Sequence, residues 1–229
     1  MFSRIAPRYD LLNHILSLNL DKLWRKRTAR HFGHILARAD ARALDLCCGT
    51  GDLAIALKRE AGKEGGRERA RIYGSDFAHP MLRLAREKSP GEQGIEYVEA
   101  DALKLPFPEA SFDLVTAAFG FRNLANYEAG LREIVRVLRP DGEVGILEFS
   151  EPRPLLIRPL YRFYFRHILP RIGGVISGSN AAYSYLPASV LKFPSAEELA
   201  ALMTRCGFVD ARFILWTAGI VALHTARKM

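Results

Sequence analysis

Apolar positions along this chain fall alternately into short unbroken runs and stretches of helical period. The first run, Ala43-Leu44-Asp45-Leu46-Cys47-Cys48, passes into the turn Gly49-Thr50-Gly51-Asp52 and then into Leu53-Ala54-Ile55-Ala56-Leu57. A short apolar strand, a glycine turn and a helix form the opening unit of a doubly wound α/β sheet. The pattern then repeats. Arg71–Phe77 predicts a second strand ending at Asp76, Met81–Lys88 a helix, and Ile95–Ala100 a third strand leading to Asp101-Ala102. Ser111–Gly120 predicts a fourth strand and Tyr127–Leu138 a helix. A tight turn at Arg139-Pro140-Asp141-Gly142 then leads into a fifth strand, Glu143–Phe149. Near the end, Ser195-Ala196-Glu197-Glu198 opens a helix that Gly207 closes. The runs Phe208–Trp216 and Ile220–Thr225, split by Thr217-Ala218-Gly219, predict an antiparallel hairpin.

Two segments depart from the alternation. Before the sheet, Leu11, Leu12, Ile15, Leu16, Leu20, Leu23 and Trp24 suit two short helices, with Lys22, Arg25, Lys26, Arg27 and Arg30 as a solvated basic face. Ser3–Asp10 is not helix-like, and as an arm it can fold over the carboxyl edge of the sheet. Between the fifth strand and the last helix, Glu151–Phe193 interleaves apolar residues with Arg153, Arg158, Arg162, Arg166 and Arg171. Arg162 and Arg166 share a helix face. This pattern suits a greasy substrate tunnel, an anionic membrane surface, or a lid helix with snorkelling arginines. The expected organisation is one domain over 1–229: a helical cap (1–38), a cofactor-binding core (39–150), a lid insertion (151–194) and a C-terminal helix with hairpin (195–229).

Composition narrows the class. The chain has 229 residues, 49% hydrophobic and 25% charged, as in ordinary globular proteins. A net charge of +8 admits nucleic acid, an anionic membrane surface or plain solvation. Three cysteines, two of them adjacent, form no disulfide framework and no metal spacing, so no metal is expected and the setting reads as reducing and cytoplasmic. No stretch reads as a signal peptide or a membrane span; the longest uncharged stretch, Ile172 to Leu191, holds Gly, Ser, Asn and Pro187. The segment Gly62–Arg69 reads as a solvated loop.

The glycine turn carries the first chemistry. Gly49 and Gly51, with Thr50 between, let a ligand lie against the main chain, but the third glycine of a dinucleotide fingerprint is replaced by Ala54. Asp52 at the helix start and Asp45 before the turn repel a pyrophosphate and suit a cationic, phosphate-free ligand such as S-adenosylmethionine. Asp76, about 20 residues beyond the turn, is placed for a ribose diol. At Asp101-Ala102 a carboxylate and a backbone N–H can both face an adenine edge. Each acid alone reads equally as a cap or strand terminator; three in register at successive strand ends make a constellation. His79 reads as a turn residue rather than a base.

Larger motifs then resemble the ubiquinone/menaquinone biosynthesis C-methyltransferases (UbiE/MenG family) over nearly the whole length. They are Tyr9-Asp10-Leu11-Leu12-Asn13, Leu16-Ser17 and Trp24; Phe119-Gly120-Phe121-Arg122-Asn123; Arg136–Gly142 continuing to Leu147-Glu148-Phe149-Ser150; and Tyr185-Leu186-Pro187 to Phe193-Pro194. The chain departs from the family pattern at Asp21, often His, and Asp141, usually Gly, both expected away from the pocket. It departs also at Ala118, often a small hydroxyl residue whose hydrogen bond to the cofactor the backbone replaces.

The resemblance implies a class I S-adenosylmethionine-dependent methyltransferase, Rossmann-like, with a seven-stranded sheet, and methyl transfer to a ring carbon of a polyprenylated quinol, demethylmenaquinol ahead of the benzoquinol. It implies Arg122 and Asn123 beside the substrate. Arg122 would stabilise the quinolate or orient a water that takes the proton, and Asn123 would position the ring oxygen. A loop arginine paired to an acid is the plainer alternative. Tyr9, Asp10 and His14 are weaker candidates. The partners so implied are the quinol and the inner face of an anionic membrane, with a homodimer left open and nucleic acid not expected. Two rivals stay in view: an RNA methyltransferase, suggested by the charge, and an accessory protein that keeps the fold without the chemistry.

Overall fold

The computed structural model describes residues 14, 17–63, 70–89, 94–154, 157–164 and 189–229. In chain order the elements are α1 (Leu20–His31), α2 (Gly33–Leu36), β1 (Arg42–Leu46), α3 (Asp52–Ala61), β2 (Arg71–Asp76), α4 (His79–Lys88), β3 (Ile95–Glu99) and β4 (Phe112–Ala118). A 3₁₀ turn (Phe121–Asn123) and α5 (Tyr127–Val137) follow, then β5 (Leu138–Phe149), α6 (Ile157–Phe163), α7 (Ala196–Arg205), β6 (Phe208–Trp216), a second 3₁₀ turn (Thr217–Gly219) and β7 (Val221–Lys228).

The seven strands form one sheet in the order β3-β2-β1-β4-β5-β7-β6. Strands β1 to β5 pair in parallel; β7 runs antiparallel to β5 and β6 antiparallel to β7. The strand order reverses between β1 and β4, and open α/β sheets bind ligands at the carboxyl ends beside such a reversal.

Side-chain alternation explains the layers. Ala43 on β1 and Leu114 on β4 pack with Leu53, Ala54 and Leu57 of α3 and Phe32, Ile35 and Leu36. Leu44, Leu46 and Val115 point the other way, into Leu131, Ile134 and Val137 of α5 and Leu199 and Met203 of α7. Successive strand residues face opposite sides, so a near-continuous apolar run is what a sheet covered on both faces requires. Helix α7 begins with a capping box: the Ser195 hydroxyl accepts from the Glu198 N–H and the Glu198 carboxylate accepts from the Ser195 N–H.

The expected turn at 139–142 is a bulge counted within β5. Phe112 pairs with Leu138 and Leu114 with Glu143, so these four residues loop out opposite Asp113, with Asp141 at φ +60°. Arg38, Arg139 and the Arg42 N–H converge on the Asp113 carboxylate and tie the bulge to the start of β1. Of the two N-terminal helices, the first expected stretch (11–16) lies outside the described residues apart from His14, and the second is the twelve-residue α1. Helix α1 docks near the carboxyl edge through Trp24, which packs with Phe119, Leu147 and Val221 and donates its indole N–H to Thr217 Oγ1 at 2.9 Å. Most of the predicted lid (165–188) and most of the Gly62–Arg69 loop lie outside the described residues.

Candidate active site

A cavity of about 320 Å³ opens at the carboxyl edge. Its wall is made by the end of β1 with Cys47–Thr50, the first turn of α3, the end of β2 with Phe77-Ala78, Ala100–Leu103 after β3, and Ala118–Gly120 with Asn123–Ala125 after β4. Four consecutive parallel strands therefore each deliver a loop to one place. The backbone bends hard to do so: Cys47, Gly49, Gly51 and Phe119 all have φ between +53° and +83°.

The structure brings the predicted acids together. Asp76 ends β2, and its two carboxylate oxygens accept from the Gly49 and Ala78 N–H groups, each at 2.8 Å. Burial raises its pKa, and these backbone donors offset the rise in part. The fixed carboxylate keeps a lone pair on each oxygen for a ligand diol. Asp101 is exposed at the rim, its Oδ1 taken by the Leu103 N–H at 2.9 Å; Ala102 beside it is buried. Gly49 and Thr50 line the cavity, and a Cβ at Gly49 would meet open space. Gly51 does not line it. A Cβ there would run into the Tyr97 hydroxyl, so this glycine serves packing between α3 and β3 rather than ligand approach. Ala118 lines the wall as expected.

Asp45 is 1% exposed on the floor. Its Oδ1 accepts from Thr116 Oγ1 at 3.1 Å, and its Oδ2 is buried without a partner among the described residues. Burial pushes its pKa up to about 7, with Thr116, the Arg25 charge and the Ala54 N–H pulling the other way. Asp52 is less bare than its place at a helix start suggests, since Lys88 pairs with it and Arg25 Nη1 lies 3.9 Å away. Cys47 and Cys48 also line the cavity, and burial pushes both thiols up, away from thiolate chemistry.

One expectation changes. Arg25 is not part of a solvated face: its side chain is 11% exposed, lines the cavity and lies over the Phe119 ring at 5.3 Å. Asp21 does not line the cavity, as expected, but it touches Arg25, which does. It is buried, takes Arg25 and the Ser17 hydroxyl, and lies 2.8 Å from His14 Nδ1. Burial alone would raise the Asp21 carboxyl, but Arg25, Ser17 and His14 outweigh it and hold it below its ordinary value. The spacing Asp21–Arg25, one helical turn, permits the pair, but nothing local in the sequence marks it as buried. His14, Asp21 and Asp52 bring ligand atoms within 4.8 Å of one another, and the cations Arg25 and Lys88 already sit on those carboxylates.

The Arg122-Asn123 pair splits. Asn123 lines the cavity. Arg122 does not; its side chain is 8% exposed and Nη1 donates to Glu148 Oε2 at 3.0 Å and to the Phe119 carbonyl. The Arg122 N–H donates to Glu148 Oε1 at 3.1 Å, so one fully buried acid holds both ends of the residue. Tyr127 Oη donates to the Arg122 carbonyl at 3.1 Å. The pairing with an acid is the contact found, and the 3₁₀ turn carrying Asn123 is thereby fixed. Tyr9 and Asp10 lie outside the described residues.

Beyond Glu148 a second cavity of about 910 Å³ is lined by Phe149–Glu151, Arg153, Arg158 and Tyr161, and by Val190–Glu198 apart from Lys192. The Arg122 guanidinium lies over the Phe149 ring at 5.5 Å and its charge reaches the Tyr161 hydroxyl, which places it between the two cavities.

A sequence profile of the ubiE/COQ5 methyltransferase family matches residues 1–228. The chain belongs to this family. Among its relatives, a demethylmenaquinone methyltransferase of Thermus thermophilus is 49% identical over 230 residues, covering 100% of both chains. One of Deinococcus radiodurans is 48% identical over 229 residues (100% of this chain, 91% of the relative), and one of Staphylococcus aureus is 38% identical over 228 residues with the same coverage. Solved structures share the fold. A SAM-dependent methyltransferase from Aquifex aeolicus superposes with TM-score 0.62 at 17% identity, covering 90% of this chain and 89% of that one. A SAM-dependent methyltransferase from Thermotoga maritima, a possible histamine N-methyltransferase, gives 0.67 at 17% identity over 100% and 98%. The chain is thus a methyltransferase with the class I, Rossmann-like sheet. Family membership implies S-adenosylmethionine, and the residues fit that cation: four carboxylates line the cavity, and the buried Asp45 Oδ2 lacks a donor that an ammonium provides.

Proposed function

We propose that this enzyme methylates a ring carbon of a polyprenylated quinol, demethylmenaquinol in the first place, as the last step of menaquinone biosynthesis. The observation that carries the reading is the end-to-end similarity, at 38% to 49% identity, to relatives named for that reaction. The acid-lined cavity beside a larger, arginine-rimmed one supports it.

Asp76 would hold the ribose hydroxyls, Asp101 and the Ala102 N–H the adenine edge, and Asp45 the ammonium, with Gly49, Thr50 and Ala118 shaping the wall. When bound, S-adenosylmethionine supplies a methyl group already activated by its sulfonium. The protein's own task is then to align the ring carbon, and such positioning can lower a barrier by about 7–11 kcal/mol. A free phenol ionises near pH 10, so the site must also favour the quinolate. Asn123, on the cavity wall, would donate to the ring oxygen. Arg122 acts from behind that wall: it fixes the Asn123 turn, and its field favours the developing anion. Its charge is permanent, which suits it to stabilise the anion rather than to take the proton.

No helix among the described residues is long and apolar enough to cross a membrane. A polyprenyl tail must nonetheless leave the bilayer, and a net charge of +8 favours peripheral contact with an anionic inner face. Leu191, 82% exposed at the second cavity, supports that entry side. Labelled methyl donor offered with demethylmenaquinol or with the corresponding benzoquinol tests the proposal. Label in the naphthoquinol ring, at the higher rate, is expected; label in neither ring would overturn it.

A further inference from the structure

Charge is unevenly divided on the cavity wall. Asp45, Asp52, Asp76 and Asp101 line it, and Arg25 is the single lysine or arginine among the described lining residues. A ligand rich in phosphate would meet four carboxylates and one cation, which disfavours it. A ligand carrying one anionic group would find one partner for that group.

Arg25 is built to be that partner. It reaches the cavity from α1, outside the sheet, and is held over the Phe119 ring. Its contacts with Asp21 and Asp52 both fall on Nη1. The Nη2 and Nε side of the fork can therefore meet a further carboxylate, for which planar guanidinium geometry is suited. Asp21 itself is braced by Ser17 and His14, so the arginine is positioned by a buried anchor rather than by a flexible surface contact.

Asp45 supplies the opposite pole. It is buried on the floor, with Oδ1 engaged by Thr116 and Oδ2 unpartnered among the described residues. Arg25 and Asp45 feel each other's charge but form no ion pair among the described residues. Two opposite charges held apart on one cavity wall leave a slot that a zwitterion fills, each pole finding its counterion.

We infer that Arg25 and Asp45 together clamp the amino-acid end of the cofactor, Arg25 taking its carboxylate and Asp45 its ammonium. The inference rests on the S-adenosylmethionine reading above and makes Arg25, a residue of the N-terminal cap, part of the cofactor site. It also ties cofactor binding to the docking of α1, because the same helix turn carries Trp24.

Calorimetry with three ligands tests it. S-adenosylhomocysteine keeps the zwitterion, decarboxylated S-adenosylmethionine lacks only the carboxylate, and 5′-methylthioadenosine lacks both poles. Arg25→Gln should weaken S-adenosylhomocysteine roughly 10- to 100-fold, as expected for a lost charge-assisted contact. It should leave the other two ligands within about threefold of the unmodified protein. Arg25→Lys, which keeps the charge, should recover part of the loss, and thermal melting should show both variants folded. Asp45→Asn should weaken the first two ligands and spare the third. Equal weakening of all three ligands by Arg25→Gln, or no change for S-adenosylhomocysteine, would overturn the clamp while leaving the cofactor reading in place. Unmodified protein that binds none of the three would overturn both.

Discussion

The two cavities on either side of the Arg122–Glu148 pair are built by different rules. The smaller is assembled from the ends of four parallel strands, and its acids sit on main chain that pairing has already fixed. The larger is walled by Phe149–Glu151, by α6 and by the 190–198 segment, an insertion after the sheet's last parallel strand. One offers charge and backbone donors, the other apolar surface and an arginine rim. On the function proposed above, the shared sheet would supply the cofactor half and the added segment what distinguishes the substrate.

The pair between them is where the comparison breaks most readily. Arg122→Ala is expected to lower turnover by roughly 10³-fold while leaving cofactor affinity within a few fold. It also strands a buried Glu148, costing about 3–5 kcal/mol of stability. Steady-state kinetics, a cofactor titration and a melting curve read the three effects. Collapse of cofactor binding with normal turnover per bound cofactor would place Arg122 on the wrong side of the boundary.

Asp76→Ala acts inside the smaller cavity. It removes the proposed ribose acceptor and the carboxylate that takes the Gly49 and Ala78 N–H groups, so cofactor affinity should fall roughly 30-fold, about 2 kcal/mol, with quinol KM little changed. Unchanged affinity by calorimetry would refute the assignment. Phe193→Ala is the mirror test. Phe193 lines the larger cavity and packs edge-on to Tyr127 at 5.4 Å, so its loss should raise quinol KM roughly tenfold and spare cofactor affinity.

Asp45 adds a pH test. Its pKa of about 7 in the free protein means that below this pH the carboxyl is largely protonated and cannot hold an ammonium. Affinity for S-adenosylhomocysteine should therefore rise with pH, by roughly tenfold per unit below 7, and flatten above it. Asp45→Asn should remove the slope. A last test concerns the support of the larger cavity and reads stability rather than binding. Buried His224 accompanies Ala196 there, its Nε2 3.1 Å from the Ala196 carbonyl, and burial pushes its pKa down to about 4. The unfolded chain takes this proton near pH 6.5, so stability is lost as pH falls from 6.5 toward 4, by up to about 3 kcal/mol. Chemical denaturation of His224→Gln across that range should show a shallower decline.

Much of the smaller cavity was legible in the chain. Asp76 and Asp101 close apolar runs and Asp45 lies next to the end of β1, and an acid at a strand end before a helix has few other places to go. Arg25 was not legible, because a helical arginine beside lysines reads as solvated until the buried Trp24 turns its neighbour inward. The packing need at Gly51 is not legible for a related reason: it comes from Tyr97, a residue 46 positions away whose approach no local pattern announces. The 139–142 turn was seen but not its place inside a paired strand, since pairing partners are tertiary.

By itself the sequence determined the order and type of the elements, the parallel sheet and the loops that bear the acids, because period and turn chemistry are local properties. The charges of the site were determined there too. What only the tertiary structure decided was which charges meet. That Glu148 holds Arg122, that Asp21 presents Arg25 and that Asp45 keeps an oxygen with no partner among the described residues are outcomes of burial, and burial exists only once distant segments have packed.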